Sequence, residues 1–119
     1  MRQAHGPLPT AERLRKRGDY LRLRASGARL RSGPIRVQFT PNGTKTTRLG
    51  ITVPKFEGLA PLRNRIKRIL RESWRTVRAD FPPGLDIVLI VDAAEPCTEL
   101  AAVVALLERA AQKLNSKRP

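Results

Sequence analysis

The sequence predicts a small α+β sandwich, and three observations carry that prediction. Residues 62–75 read as one long amphipathic helix, residues 85–91 form an uninterrupted apolar run, and residues 35–40 alternate apolar and polar side chains. The expected order is helix, two or three strands, helix, strand, helix. One face of the sheet is expected to lie under the two long helices, and the other to form an open groove toward the short first helix. The 119 residues suffice for one domain with one modest core.

Residues 1–9 carry Gly6, Pro7 and Pro9 and read as a flexible lead-in. The folded domain is expected over residues 10–114, with a frayed tail at 115–119. A short helix is expected over about residues 19–25, ending near Gly27, with Tyr20, Leu21 and Leu23 available to pack and Arg22 and Arg24 basic. Ile35, Val37 and Phe39 alternate with Arg36, Gln38 and Thr40, the pattern of a half-buried strand. Pro41-Asn42-Gly43-Thr44 supplies turn chemistry, and Leu49, Ile51 and Val53 follow at period two. Together these segments predict an antiparallel hairpin.

Pro61 stands at the start of the long helix, where a missing N–H costs nothing. At about 100° per residue, Leu62, Ile66, Ile69, Leu70, Trp74 and Val77 fall within an arc of roughly 140°. Asn64, Arg65, Lys67, Arg68, Arg71, Arg75 and Arg78 fall on the opposite side, with Arg63 at the seam. Such a helix pairs a core-seeking stripe with a rigid rail of cationic donors. Pro82-Pro83-Gly84 ends it. The β-branched and leucine run Leu85 to Val91 suits a strand buried on both faces. A last helix, rich in alanine, is expected over about residues 99–114.

Charge narrows the class of partner. The net charge of +14 and isoelectric point near 11.6 point to a polyanion. Residues 1–78 hold 20 of the 24 Lys and Arg but only 4 of the 10 acids, so the positive charge is concentrated. A surface so basic is self-repulsive unless a partner neutralises it. The single Cys97 excludes an internal disulfide or a cysteine-rich zinc site. Without a membrane-length apolar run or a signal-type hydrophobic segment, the chain reads as soluble and cytoplasmic.

Catalytic readings find little support. His5 is the only histidine and lies in the lead-in, so Cys97 has no histidine in the folded region to activate it. Asp86 and Asp92 bracket a strand but are too few to argue for a metal pair, and no phosphate-binding glycine loop is present. Binding reads better. Arg63, Asn64, Arg65, Lys67, Arg68 and Arg71 can meet a phosphate backbone, which positions nucleic acid without reading its sequence. Tyr20 and Phe39 are candidate stacking platforms for unpaired bases, although Phe39 shares strand parity with Ile35 and Val37 and so favours the core.

These residues resemble a known family. Arg63-Asn64-Arg65, then Ile66-Lys67-Arg68 and Arg71-Glu72, within residues 60–74, resemble the signature of the bacterial ribonuclease P protein component. Arg13-Leu14-Arg15-Lys16 before Asp19-Tyr20, the run Arg48 to Val53, and Pro83-Gly84 with Asp86-Ile87-Val88 resemble further segments in the same order. The resemblance covers roughly residues 12–112. It implies a ribosomal-protein-S5-like sandwich of order α-β-β-β-α-β-α with a left-handed β-α-β crossover, against the usual preference. It also implies a monomeric, noncatalytic partner in a 1:1 complex with a large RNA. That RNA, using Mg²⁺, would release the 5′ leader of precursor tRNA, and the protein itself would bind no cofactor.

Carried over position by position, Arg63, Asn64, Arg65, Lys67, Arg68 and Arg71 match the family's RNA-contacting helix. Tyr20 matches an aromatic of its leader cleft. Arg24 stands where a second cleft aromatic is usual, Gln38 at another cleft position, and Pro54-Lys55-Phe56 where Lys-Lys is common. Phosphate contact by Arg24 and Lys55 is the expectation there. The competing readings are a ribosomal or general RNA-chaperone protein and a protein-only nuclease. The nuclease would need clustered acids or a paired histidine.

Overall fold

The computed structural model describes residues 12–14, 16–54, 60–93 and 97–117. Three helices, α1 (Arg17–Ser26), α2 (Ala60–Val77) and α3 (Leu100–Lys117), pack on four strands, β1 (Ala28–Ser32), β2 (Ile35–Pro41), β3 (Arg48–Thr52) and β4 (Leu85–Val91). The order along the chain is α-β-β-β-α-β-α, as expected. A short 3₁₀ turn over Arg78–Asp80 closes α2, and α3 runs to Lys117, beyond the expected end at residue 114.

The pairing corrects one expectation. Residues 35–41 and 48–52 do not form a hairpin with each other, because the sheet order is β1-β2-β4-β3. The hairpin is β1–β2, with Leu30 opposite Val37, and Gly33 between the strands takes the positive φ of 56° that a tight turn needs. β4 inserts between β2 and β3, antiparallel to the first and parallel to the second, with Leu89 opposite both Val37 and Ile51. Two physical reasons account for this. β4 is apolar on both faces and therefore takes an interior position. Asn42 closes the following loop on itself, accepting from the Thr44 amide at 2.8 Å and donating to the Thr46 carbonyl at 2.8 Å and to Asp86 of β4 at 3.0 Å. The loop therefore carries the chain past β4 instead of back along β2.

The two faces of the sheet follow from strand parity. Ile35, Val37, Leu49, Ile87, Leu89 and Val91 join the main core beneath α2 and α3. From α2, Ile66, Ile69, Leu70, Trp74 and Val77 are buried, as the apolar arc requires, and Leu62 packs at the margin. Val103, Leu107, Ala110, Ala111 and Leu114 complete the core from α3. Each fully buried large aliphatic side chain contributes about 1.5–3 kcal/mol through removal from water. Phe39 packs against this core, so it is no stacking platform on the groove side.

The opposite face carries Val88 under Leu14 and Leu23, with Tyr20 and Ile90 partly buried beside them. Leu21 does not join them and is 46 % exposed. On a helix it lies about 160° from Leu23, so the two cannot pack on one side. α1 ends where the Gly27 amide donates to the Leu23 carbonyl at 2.8 Å.

Candidate nucleic-acid interface

The cationic side of α2 divides into three rows. Arg63 is half-buried, and its Nε donates to the Val53 carbonyl at 3.3 Å, tying the start of α2 to the residue after β3. Arg65 is exposed and reaches the Thr98 carbonyl at 3.4 Å, toward the start of α3. Asn64 and Arg68 stand exposed between these rows. Lys67 and Arg71 continue the Arg63 row at four-residue steps, and both are half-buried.

Lys67 and Arg71 form one wall of a recess of about 250 Å³, whose other walls include Arg13, Leu14, Tyr20 and Gly50. Two of the six side chains expected to meet a catalytic RNA and the aromatic expected to meet a leader thus share one recess. Gly50 makes the arrangement possible. A Cβ there would lie 2.5 Å from the Tyr20 hydroxyl, so only glycine lets that ring rest on β3. The Tyr20 hydroxyl donates to the Leu14 carbonyl at 3.1 Å. Burial, and then the neighbouring Asp19 charge, push the phenol above its ordinary value, so it remains a neutral donor at physiological pH.

Arg24 and Gln38 lie farther along the groove. Gln38 is half-buried on β2, opposite Arg29 of β1 and Val88 of β4. Arg29 donates from Nη2 to the Arg24 carbonyl at 2.8 Å, which joins the end of α1 to the edge strand, while the Arg24 side chain is exposed. Lys55 falls outside the described residues, as does His5.

A polar cluster that sequence reasoning passed over holds α1 on the sheet. Asp86 is fully buried and receives Arg48 at 2.7 and 2.6 Å, Arg22 at 2.5 Å and Asn42 at 3.0 Å. Asp19 of α1 lies 3.6 Å from both Arg22 and Arg48. Burial alone would push the Asp86 carboxyl upward. The hydrogen bonds from Arg48 and Asn42, with the charges of Arg48 and Arg22, outweigh it and hold the carboxyl below its ordinary value. The same hydrogen bond raises Arg48, so the pair stays ionised at neutral pH. One signal was available in the sequence: an acid inside a strand buried on both faces requires cationic partners.

Cys97 is buried, and burial pushes its thiol up, away from the reactive thiolate. Among the described residues, no group of three or more His, Cys, Asp or Glu side chains is assembled to hold a metal ion. No helix among them is long and apolar enough to cross a membrane.

Known proteins resemble this chain in both architecture and sequence. The Ribonuclease P family model matches residues 8–115. The ribonuclease P protein component of Desulforapulum autotrophicum is 44 % identical over 82 residues, 69 % of this chain and 70 % of that protein. The Thermotoga petrophila component is 42 % identical over 79 residues, covering 66 % of this chain and 68 % of the relative. Among solved structures, the RNase P protein from Thermotoga maritima superposes with a TM-score of 0.73 at 32 % identity, covering 91 % of this chain and 99 % of its own. The Staphylococcus aureus RNase P protein gives a TM-score of 0.74 at 28 % identity, with coverage of 87 % and 95 %.

Proposed function

The chain belongs to the ribonuclease P protein family, and from that premise we propose that it binds both the catalytic RNA and the 5′ leader of precursor tRNA. In this reading α2 seats on the catalytic RNA through Asn64, Arg65 and Arg68, with Arg63, Lys67 and Arg71 on the row nearer the groove. The leader lies in the groove between α1 and the sheet, against Tyr20, Gln38 and Arg24, with Lys55 in the connector. The observation that carries the reading is the shared recess, in which Tyr20 faces Lys67 and Arg71. A single-stranded leader leaving the catalytic RNA there meets cations and an aromatic at the same point.

The protein's part is electrostatic and positional. Its cations offset the repulsion between two RNA backbones, and the groove fixes the leader's path. Hydrolysis belongs to the RNA and its Mg²⁺, and no proton or bond passes through this chain. With about six phosphates neutralised, log K for RNA falls against log salt with a slope of about −4 to −5. The protein acts as a monomer, one copy per RNA, in the cytoplasm.

The decisive experiment is cleavage of a 5′-extended precursor tRNA at low Mg²⁺ by a bacterial ribonuclease P RNA, with and without the protein. Rescue by the protein, with the protein alone inert, is the expected result. Tight but indiscriminate RNA binding without rescue would overturn the reading in favour of a general RNA chaperone.

A further inference from the structure

Beyond the signature residues, cations continue along α2 with Arg75 and into the 3₁₀ turn that follows it with Arg78. Arg68, Arg71, Arg75 and Arg78 follow at steps of three and four residues along one stripe, and the stripe leads to a second recess at the far end of the helix. That recess measures about 450 Å³, within the range of roughly 300–1,000 Å³ typical of small-ligand sites. Its walls include Glu12, Lys45, Trp74, Arg78, Phe81 and Pro83. The Trp74 and Phe81 rings pack at 4.8 Å between centroids, tilted by 48°, and form its apolar floor.

We propose that this recess takes one unpaired nucleotide of the same RNA that α2 binds, a second point of attachment at the opposite end of the rail. The proposal rests on the RNA-binding reading above and extends it to residues outside the family signature. Three features select the ligand. Lys45 and Arg78 offer two cations against the single acid Glu12, which favours an anion. Apolar walls between those cations suit an anion with a flat, apolar body. Continuity with the arginine stripe supplies a ligand attached to a phosphate chain, as an extruded nucleotide is.

The chemistry of each group sets its role. Trp74 and Phe81 are 2 % and 5 % exposed, so they meet a base at their edges only. The stacking surface is the exposed Arg78 guanidinium, which packs well on planar rings. In the free protein Arg78 pairs with Glu12. An entering phosphate therefore competes with that carboxylate, and Glu12 acts as an internal stand-in for the ligand.

Trp74 is the sole tryptophan and lines this recess, so emission comes from one ring at its floor, and the double variant below separates the recess from the core behind it. Titration of the full-length protein with a bacterial ribonuclease P RNA is expected to change Trp74 emission in step with binding measured by filter retention. In a Lys45→Ala/Arg78→Ala variant, RNA still binds, about tenfold more weakly and with a salt slope reduced by about two. Its emission change disappears. Glu12→Gln is expected to act in the opposite direction, tightening binding severalfold. Emission that stays constant while RNA saturates the wild-type protein overturns the proposal, as does an emission change that survives in the double variant. In either case rescue of precursor cleavage leaves the family reading standing. A wild-type protein that retains no RNA overturns both.

Discussion

The two faces of the sheet are built on different principles. Beneath α2 and α3, strands and helices meet through aliphatic and aromatic side chains that are almost wholly buried. Beneath α1, the buried apolar side chains among the described residues are Leu14, Leu23 and Val88, and much of the attachment runs through the buried Asp86 and its partners. The first face is held by contact area, which is non-directional. The second is held by a few directed, charge-assisted bonds, which fix an angle and a distance while burying little surface. A groove between helix and sheet needs that second kind of attachment, because closing it with apolar side chains would fill it.

The contrast can be broken most strongly on the core face. Leu89→Ala, at a fully buried position, is expected to destabilise the fold by about 2–5 kcal/mol in chemical denaturation, with RNA affinity per folded molecule unchanged. Asp86→Ala is expected to cost less, about 1.5–3 kcal/mol, because Arg22 and Arg48 are partly exposed and water screens the charges left behind. Unlike Leu89→Ala, it is expected to lower the preference for leader-bearing precursor over mature tRNA in binding assays, since α1 is no longer fixed over the sheet. A pH series sharpens the same point. Asp86 titrates lower in the fold than in the unfolded chain, so its contribution is complete above about pH 4 and is lost as pH falls through the lowered value. Thermal melts should show that acid loss in the wild type and a smaller one in Asp86→Ala.

Smaller effects are expected within the groove and outside it. Tyr20→Phe removes only the hydroxyl bond to the Leu14 carbonyl, about 0.5–1.5 kcal/mol by denaturation, and keeps the ring. Tyr20→Ala is expected to weaken leader-bearing substrate more than mature tRNA, and equal weakening of both in parallel titrations would reject a groove role. Leu21→Gln, on the exposed side of α1, is expected to change stability by no more than about 0.5 kcal/mol and to leave both RNAs bound as before, by melting and filter retention.

Local features of the sequence translated directly into structure. The period of Ile66, Ile69, Leu70, Trp74 and Val77 set the buried side of α2, and the run from Leu85 to Val91 marked the strand buried on both faces. The pairing of β2 was not legible in the same way. Asn42-Gly43 is a turn signal whether the chain returns beside β2 or passes over β4, and hydrogen bonds between distant segments, from Asn42 to Asp86 and to the Gly84 carbonyl and from Thr47 to the Pro82 carbonyl, distinguish the two. The candidate site shows the same division. Helical spacing placed Lys67 and Arg71 on the cationic side of α2, but their meeting with Tyr20 depends on Gly50, distant in sequence from both the ring and the helix. Asp86 was legible as an acid in an apolar strand, while Arg22 and Arg48 are drawn to it from 64 and 38 residues away.

The sheet order also constrains how the chain assembles. β4 lies between β2 and β3 but is the last strand to be synthesised. Until residues 85–91 leave the ribosome, β1 and β2 have each other, while β3 has no neighbouring strand to join. Closure of the sheet therefore waits on a distant segment, a high-contact-order step of the kind that slows folding. During that wait the nascent chain already displays the arginines of α2 beside two unsatisfied strand edges, a species prone to aggregation. A polyanion that bound α2 at this stage would screen its charge before the central strand arrived.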